Sequence, residues 1–392
     1  MSSDGSQAPG PVVCVVGARP NYMKMAPIVR SLRAHDLRIL LVHTGQHYDS
    51  AMNERLFADL NMPLPDLNLE VGSGTHAVQT AEIMRRFEPV LDAHRPSCVL
   101  VVGDVNSTLA CSLVASKKGV PVVHVEAGLR SNDRSMPEEI NRLLTDQLAD
   151  VLYTTERSAH ANLAREGIDG ARIEFVGNVM IDSLLASLEQ AVAPVETLRR
   201  AGRDGAILSD RKGYGLVTLH RPSNVDHEEA LGRMLSVLRE VSVSLPLVFP
   251  IHPRCQANIE SFGLGDLLAS ERIVTLPPLG YLEMLGLMAG ATLVLTDSGG
   301  IQEETTALSV PCITLRENTE RPITVEQGTN VLAGCERGQI LQAVDATLAD
   351  GGKRGCLPEY WDGAAAERIA SHLGVWLTGR QAADRAGREG DR

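Results

Sequence analysis

The chain has 392 residues, 44% of them apolar, and 37 Lys and Arg against 49 Asp and Glu give it a net charge of −12. That length exceeds what one hydrophobic core usually serves and points to two domains. The negative balance argues against nucleic acid or an anionic membrane as a partner, so any bound phosphate must be held by local cations and helix ends.

Strand-like apolar runs alternate with helical periodicity. The first half reads as strand PVVCVVGA (11–18), a helix from Tyr22, strand LRILLVHTG (37–45), a helix from Ala51 and another from Gly74 to His94. Strand CVLVVGD (98–104), a helix from Ser107, strand PVVHVEAG (121–128) and helix PEEINRLLTDQLAD (137–150) follow. Strand VLYTT (151–155), a helix and strand IEFVG (173–177) close this part. Ala193 to Gly215, rich in Arg, Gly and Asp, reads as the interdomain connection. The second half repeats the theme with GLVTLH, LPLVFPIH, RIVTLPPL, TLVLTD, PCITLR and TNVLAG. The pattern predicts an α/β protein with parallel sheets, one domain over 11–192 and a second over 213–362. A C-terminal helix over 363–379 is placed to pack back on the first domain, and residues 1–10 and 380–392 read as disordered tails. The seven Cys are scattered without CxxC or Cys/His spacing, which suits reduced buried thiols in a cytoplasmic protein and no metal site. No signal peptide or membrane-length apolar run is evident.

Polar residues recur where the strands stop: Arg19, His43 to His47, Asp104, Glu126, His220, His252 and Asp297. Ligands of open α/β sheets bind beyond the carboxyl ends of strands, so two sheets facing one another would bring both sets into one cleft. The most informative string is LVLTDSGGIQEETTAL, in which Ser298, Gly299 and Gly300 turn a strand directly into a helix. A helix start offers unpaired N–H groups to an anion, and paired glycines let a phosphate approach the backbone. Glu304, one turn on, suits a ribose diol, although a Ser cap followed by a solvated Glu pair would read the same way.

Other strings are less decisive alone. GARPNYMKMAP has one glycine, not G-x-G-x-x-G, so a dinucleotide fingerprint is absent, and Arg19 and Lys24 could be surface cations. Asp104 in GDVNST is as good a helix cap as a catalyst. HVEAGLRS puts His124 and Glu126 on one face of a strand, where a carboxylate is expensive unless paired or functional. MPEEINRLL sets Arg142 four residues after Glu138, a spacing for an ordinary helix ion pair. His220 and Arg221 end a strand before Pro222, an arrangement suited to phosphate. Arg316 and Arg321 lie in a charged loop that could close over a nucleotide.

Together GARPNYMKMAP, TGQHYD, GDVNSTLA, HVEAGLRS, MPEEINR, HRPSNVD, TDSGGIQEE and ERPITVEQGT, colinear over roughly Val12 to Leu377, resemble the non-hydrolysing UDP-N-acetylglucosamine 2-epimerase family. The resemblance implies two Rossmann-like domains facing across a cleft, as in GT-B glycosyltransferases. It also implies interconversion of UDP-GlcNAc and UDP-ManNAc without metal or nicotinamide, usually by a homodimer. By matching motif, Asp104, Glu126 and Glu138 would be catalytic carboxylates and His220 the catalytic, phosphate-contacting histidine. Arg19, Lys24, Arg142 and Arg221 would line the substrate site. Ser298, Gly299 and Gly300 would hold the diphosphate, Glu304 the ribose, and Arg316 and Arg321 the nucleotide.

Two departures stand out. Pro222, Ser223 and Asn224 replace the Arg–Glu–Asn run of many bacterial members. Asp49 after Gln46, His47 and Tyr48, together with Glu70, argues against activation by a second UDP-GlcNAc. Related members act on UDP-sugars altered at carbon 3 or 6, and the motifs do not separate these. A hydrolysing relative, a GT-B glycosyltransferase and a non-catalytic UDP-sugar sensor are the competing readings.

Overall fold

The computed structural model describes residues 10–45 and 56–390, the side chains of Arg19 and of 384–390 excepted. The chain forms two compact units, Met1–Ser183 with Glu359–Arg392, and Leu184–Pro358.

In the first unit the order is β1 (Val12–Val16), α1 (Arg19–Ala34), β2 (Ile39–His43), β3 (Leu67–Asn68), α2 (His76–His94) and β4 (Cys98–Val102). It continues through α3 (Asn106–Lys117), β5 (Val122–Ala127), α4 (Pro137–Leu148), β6 (Val151–Thr154), α5 (Arg157–Arg165) and β7 (Ile173–Phe175). These strands make one parallel sheet, β3-β2-β1-β4-β5-β6-β7. Helices cover both faces, so β1 and β4 are buried along their whole length and read as the unbroken apolar runs VVCVV and CVLVV. Right-handed crossovers put α1 on one face and α2 to α4 on the other. Burial pushes the Cys14 thiol in β1 up to about 12, the state of an inert core thiol.

The second unit contains the end of α6 (Val179–Leu188), then α7 (Pro194–Arg200), β8 (Gly215–Thr218), α8 (Pro222–Val225), α9 (Glu228–Ser244), β9 (Leu247–Pro250) and α10 (Pro253–Ser261). After these come β10 (Ile273–Leu276), α11 (Tyr281–Ala289), β11 (Leu293–Thr296), α12 (Gly299–Ala307), β12 (Cys312–Thr314), α13 (Pro322–Glu326), β13 (Asn330–Leu332) and α14 (Arg337–Asp350). The sheet is again parallel, in the order β10-β9-β8-β11-β12-β13. Helix α9 shows why such segments fold as they do: Leu231, Met234, Leu235, Leu238 and Val241 recur at helical spacing and are all buried. Both units are Rossmann-like.

The division falls at 183/184 and 358/359 instead of the expected 192/213 and 362/363. The stretch expected to be the interdomain connection is folded into the second unit: Leu198 and Tyr214 join its core, and Tyr214 O–H donates to Leu287 O at 2.6 Å. At the other boundary Trp361 is buried in the first unit, and Tyr360 stacks on Phe175 with centroids 4.9 Å apart. The last helix, α15 (Ala365–Gly390), packs against α1 and remains helical through most of the segment expected to be a disordered tail. The other expected tail, 1–10, lies outside the described residues except for Gly10, as does most of the helix expected from Ala51.

Candidate active site

In each sheet the strand order reverses direction at one point, between β1 and β4 in the first unit and between β8 and β11 in the second. Such switch points are where open α/β sheets bind ligands.

At the first switch point Asn21 ties the two strand ends together. Its Oδ1 accepts from the N–H groups of Gly17 (3.3 Å) and Ala18 (3.2 Å), while Nδ2 donates to Val102 O at 2.9 Å. Lys24, nearly one turn further along α1, is buried and forms an ion pair with Glu126. Gly103 makes room for this pair: a Cβ there would lie 3.2 Å from Lys24 Nζ and 3.5 Å from Glu126 Oε2, on a backbone with φ +66°. Arg19 begins α1, but its side chain is outside the described residues, as are Gln46 to Asp49.

Glu126 itself has φ +71°, and the β5–β6 register shifts between Val125 and Ala127. This bulge ends the regular alternation that would place Glu126 on the same face as His124. His124 is fully buried and points to α4, with Nδ1 2.6 Å from Asp146 Oδ1 and Nε2 2.8 Å from Gly103 O. Glu126 reaches α1 instead. Asp146 also accepts from Arg130 Nη2 (2.6 Å) and Gly128 N (3.0 Å). Burial opposes its ionisation, yet His124 and Arg130 hold its carboxyl below the usual range. His124 therefore braces the site from behind.

Asp104 Oδ2 receives Arg142 Nε at 2.9 Å and Nη2 at 2.6 Å, and Arg142 Nη1 donates to Glu139 Oε2 at 2.7 Å. The expected Glu138–Arg142 pair is replaced by these contacts, because Glu139 lies on the buried face of α4 and Glu138 on its half-buried side. Glu139 also accepts the N–H groups of Ser131 and Asn132, both at 2.9 Å. Burial works against its charge, but these donors and Arg142 keep its carboxyl below the usual range. The Arg142 contact gives Glu139 a role in holding Arg142 on Asp104.

At the second switch point Asp297, fully buried, gathers the turn after β8. It accepts from His220 N (3.0 Å), Arg221 N (2.9 Å) and Asn224 Nδ2 (3.2 Å), and lies 2.9 Å from His220 Nδ1. Burial disfavours its charge, but the hydrogen bonds from His220 and Arg221 hold it below the usual carboxylate range. His252, at the end of the LPLVFPIH run, caps α10 by accepting Arg254 N–H at 3.2 Å.

Ser298 is the N-cap of α12, but its side chain makes no capping bond. A Cβ on Gly299 would stand 2.6 Å from Glu320 Oε1. That carboxylate receives Arg221 and Arg316, each at 2.8 Å, and is held far below the usual range by Arg321, Arg316 and Arg221 despite its burial. A helix start and two guanidinium groups thus surround one anionic group, the environment a phosphate needs. Arg321, expected to reach the nucleotide, pairs through Nε with buried Glu303 Oε1 at 2.9 Å. Glu304 is buried and accepts Tyr281 O–H at 3.0 Å; burial raises its carboxyl to about 7, with Tyr281 lowering it and Glu303 adding to the rise.

Among the described residues no group of three or more His, Cys, Asp or Glu could hold a metal ion, and no helix is long and apolar enough to cross a membrane.

A family model described as UDP-N-acetylglucosamine 2-epimerase matches residues 30–374. The UDP-N-acetylglucosamine 2-epimerase of Methanocaldococcus jannaschii is 43% identical over 362 residues, covering 92% of this chain and 97% of that protein. The UDP-2,3-diacetamido-2,3-dideoxy-D-glucuronate 2-epimerase of Pseudomonas aeruginosa is 39% identical over 370 residues, 92% of this chain and 99% of its own. The crystal structure of the M. jannaschii UDP-GlcNAc 2-epimerase in complex with UDP-GlcNAc and UDP superposes with a TM-score of 0.85 at 41% identity, covering 93% of this chain and 99% of that one. This chain belongs to the UDP-N-acetylglucosamine 2-epimerase family.

Proposed function

We propose that the protein reversibly inverts carbon 2 of UDP-GlcNAc to give UDP-ManNAc, by eliminating UDP to a 2-acetamidoglucal and adding it back. The observation that carries this reading is the pair of carboxylates, Asp104 and Glu126, held by cations at the ends of adjacent strands β4 and β5. The relatives' names supply the sugar nucleotide.

The C2–H bond has no neighbouring carbonyl to acidify it. Breaking the C1–O bond moves its electron pair to the phosphate oxygen and builds positive charge on carbon 1, which makes the adjacent hydrogen acidic. A carboxylate takes that proton, and protonation from the opposite face with return of UDP inverts the centre. The roles of Asp104, Glu126 and Glu138 in this reading are the proton transfers on the two faces. Arg19, Lys24 and Arg142 line the sugar side. Departing diphosphate is assigned to His220, Arg221, Arg316 and the Ser298–Gly300 helix start, and the ribose to Glu304. Arg321, paired with Glu303, is assigned to the nucleotide from the 316–321 loop. We assign the active form to a homodimer, which light scattering on the purified chain tests directly.

Incubation with UDP-GlcNAc in heavy water, followed by NMR, is the decisive experiment. Deuterium at carbon 2, appearance of UDP-ManNAc and no net sugar release are expected. Product retaining its original carbon-2 hydrogen would rule out elimination, and UDP accumulating in step with turnover would identify a hydrolase. A panel including UDP-sugars altered at carbon 3 or 6 tests the substituent, since the P. aeruginosa relative bears the name of such a substrate.

A further inference from the structure

The pair at the β8/β11 switch point goes beyond the assignment of His220 to the leaving diphosphate, and the inference rests on that assignment. Three of the groups on Asp297 are obligate donors, the N–H groups of His220 and Arg221 and the Nδ2 of Asn224, so its carboxylate is wholly an acceptor. With no exposure and donors on both oxygens, it is an ionised acceptor with fixed orientation. The ring of His220, 39% exposed, meets this carboxylate only through Nδ1, at 2.9 Å from Oδ1. An acceptor-only partner forces the proton onto Nδ1, which leaves Nε2 as the atom that changes protonation.

We propose that Asp297 is a positioning residue that holds His220 as the Nδ1–H tautomer, so that Nε2 serves the leaving group. When the C1–O bond breaks, its electron pair goes to the phosphate oxygen, and the Nε2 proton of the imidazolium is donated to that oxygen. On re-addition the proton returns to Nε2, and Nδ1 keeps its own proton on Asp297 throughout. Nothing outside the substrate and these two side chains is consumed.

The backbone bonds make a structural explanation the competing one, so the readouts must separate the two. Long-range ¹H–¹⁵N NMR of the wild-type protein reports the tautomer of neutral His220 without any substitution. Nδ1–H is expected, and an Nε2–H form would overturn the proposal. In D297N the amide oxygen is expected to stay with the backbone donors, turning its NH2 toward Nδ1 and switching the ring to Nε2–H. Turnover should fall at least tenfold while UDP affinity changes less than threefold. The same change in an H220A background should lower turnover by less than threefold, because the residue acts through the histidine. A full additional loss there would show that Asp297 acts through the fold alone and would overturn the proposal. Wild-type turnover in H220A would instead strike the assignment of His220 itself, a distinguishable outcome.

Discussion

At Glu126 a non-glycine residue holds a left-handed backbone, φ +71°, at a bulge and beside a buried lysine. Such a conformation costs about 1–3 kcal/mol and persists only where its surroundings enforce it. Here the ion pair with Lys24 and the space left by Gly103 do so. Glu126→Gln keeps the shape and removes the charge. It should lower carbon-2 deuterium exchange by about 10²–10⁴-fold while UDP still binds, as should Asp104→Asn and Glu138→Gln. Wild-type exchange in any one variant strikes that residue from the mechanism. Glu304 offers a second test at this scale. A carboxyl raised to about 7 is protonated below that pH, and only its ionised form accepts both hydrogen bonds of a ribose diol. UDP affinity should therefore rise as pH increases through 7. Tyr281 lowers this value by donating to Glu304, so Tyr281→Phe should move the rise to higher pH. Calorimetric titration of both proteins across the range checks it, and the comparison cancels the titration of UDP itself. Identical curves would separate Glu304 from nucleotide binding.

The element scale is governed by what joins α4 to the ends of β4 and β5. Arg142 connects α4 to Asp104, and Asp146 connects it to His124 and to the turn after β5 through Gly128 and Arg130. Asp146 has no exposure and Arg130 is buried, so removing the acid leaves a buried charge with one partner fewer. Breaking such a buried pair costs about 3–5 kcal/mol. Asp146→Ala should lower the thermal midpoint and reduce turnover, although the residue touches no reacting atom in our assignment. A midpoint equal to that of the wild type would show that this network does not hold α4. The pattern of helices and strands was legible from periodicity, because burial on both faces writes unbroken apolar runs into the parallel strands. Which acid of the Glu138–Glu139 pair meets Arg142 was not, since that depends on the face α4 turns to its sheet.

At the scale of the whole molecule, the residues assigned to the nucleotide lie in the unit Leu184–Pro358 and the carboxylates assigned to proton transfer in the other. Ligand that binds the native state raises stability by about 2.7 kcal/mol at a hundred times its dissociation constant. UDP should accordingly raise the calorimetric transition of the second unit, and Gly299→Ala should abolish that rise. The added Cβ would stand 2.6 Å from Glu320 Oε1, at the place assigned to the diphosphate. An unchanged rise in the variant would move the diphosphate away from this turn.

The sequence by itself determined the α/β class, the two-unit organisation, the family strings and the helix start at Ser298–Gly300, because these are local patterns of period, glycine and charge. Unit boundaries were less legible, since the Arg- and Gly-rich stretch after Ala193 hides Leu198, which the second core buries. Only the tertiary structure decided that Glu126 leaves the face of His124, that Arg321 turns to Glu303, and that Asp297 grips His220. Asp297 and His220 stand 77 residues apart in the chain and meet because β8 and β11 are neighbours in the sheet. Strand order and bulges set which side chains meet at a switch point, and no local periodicity encodes them.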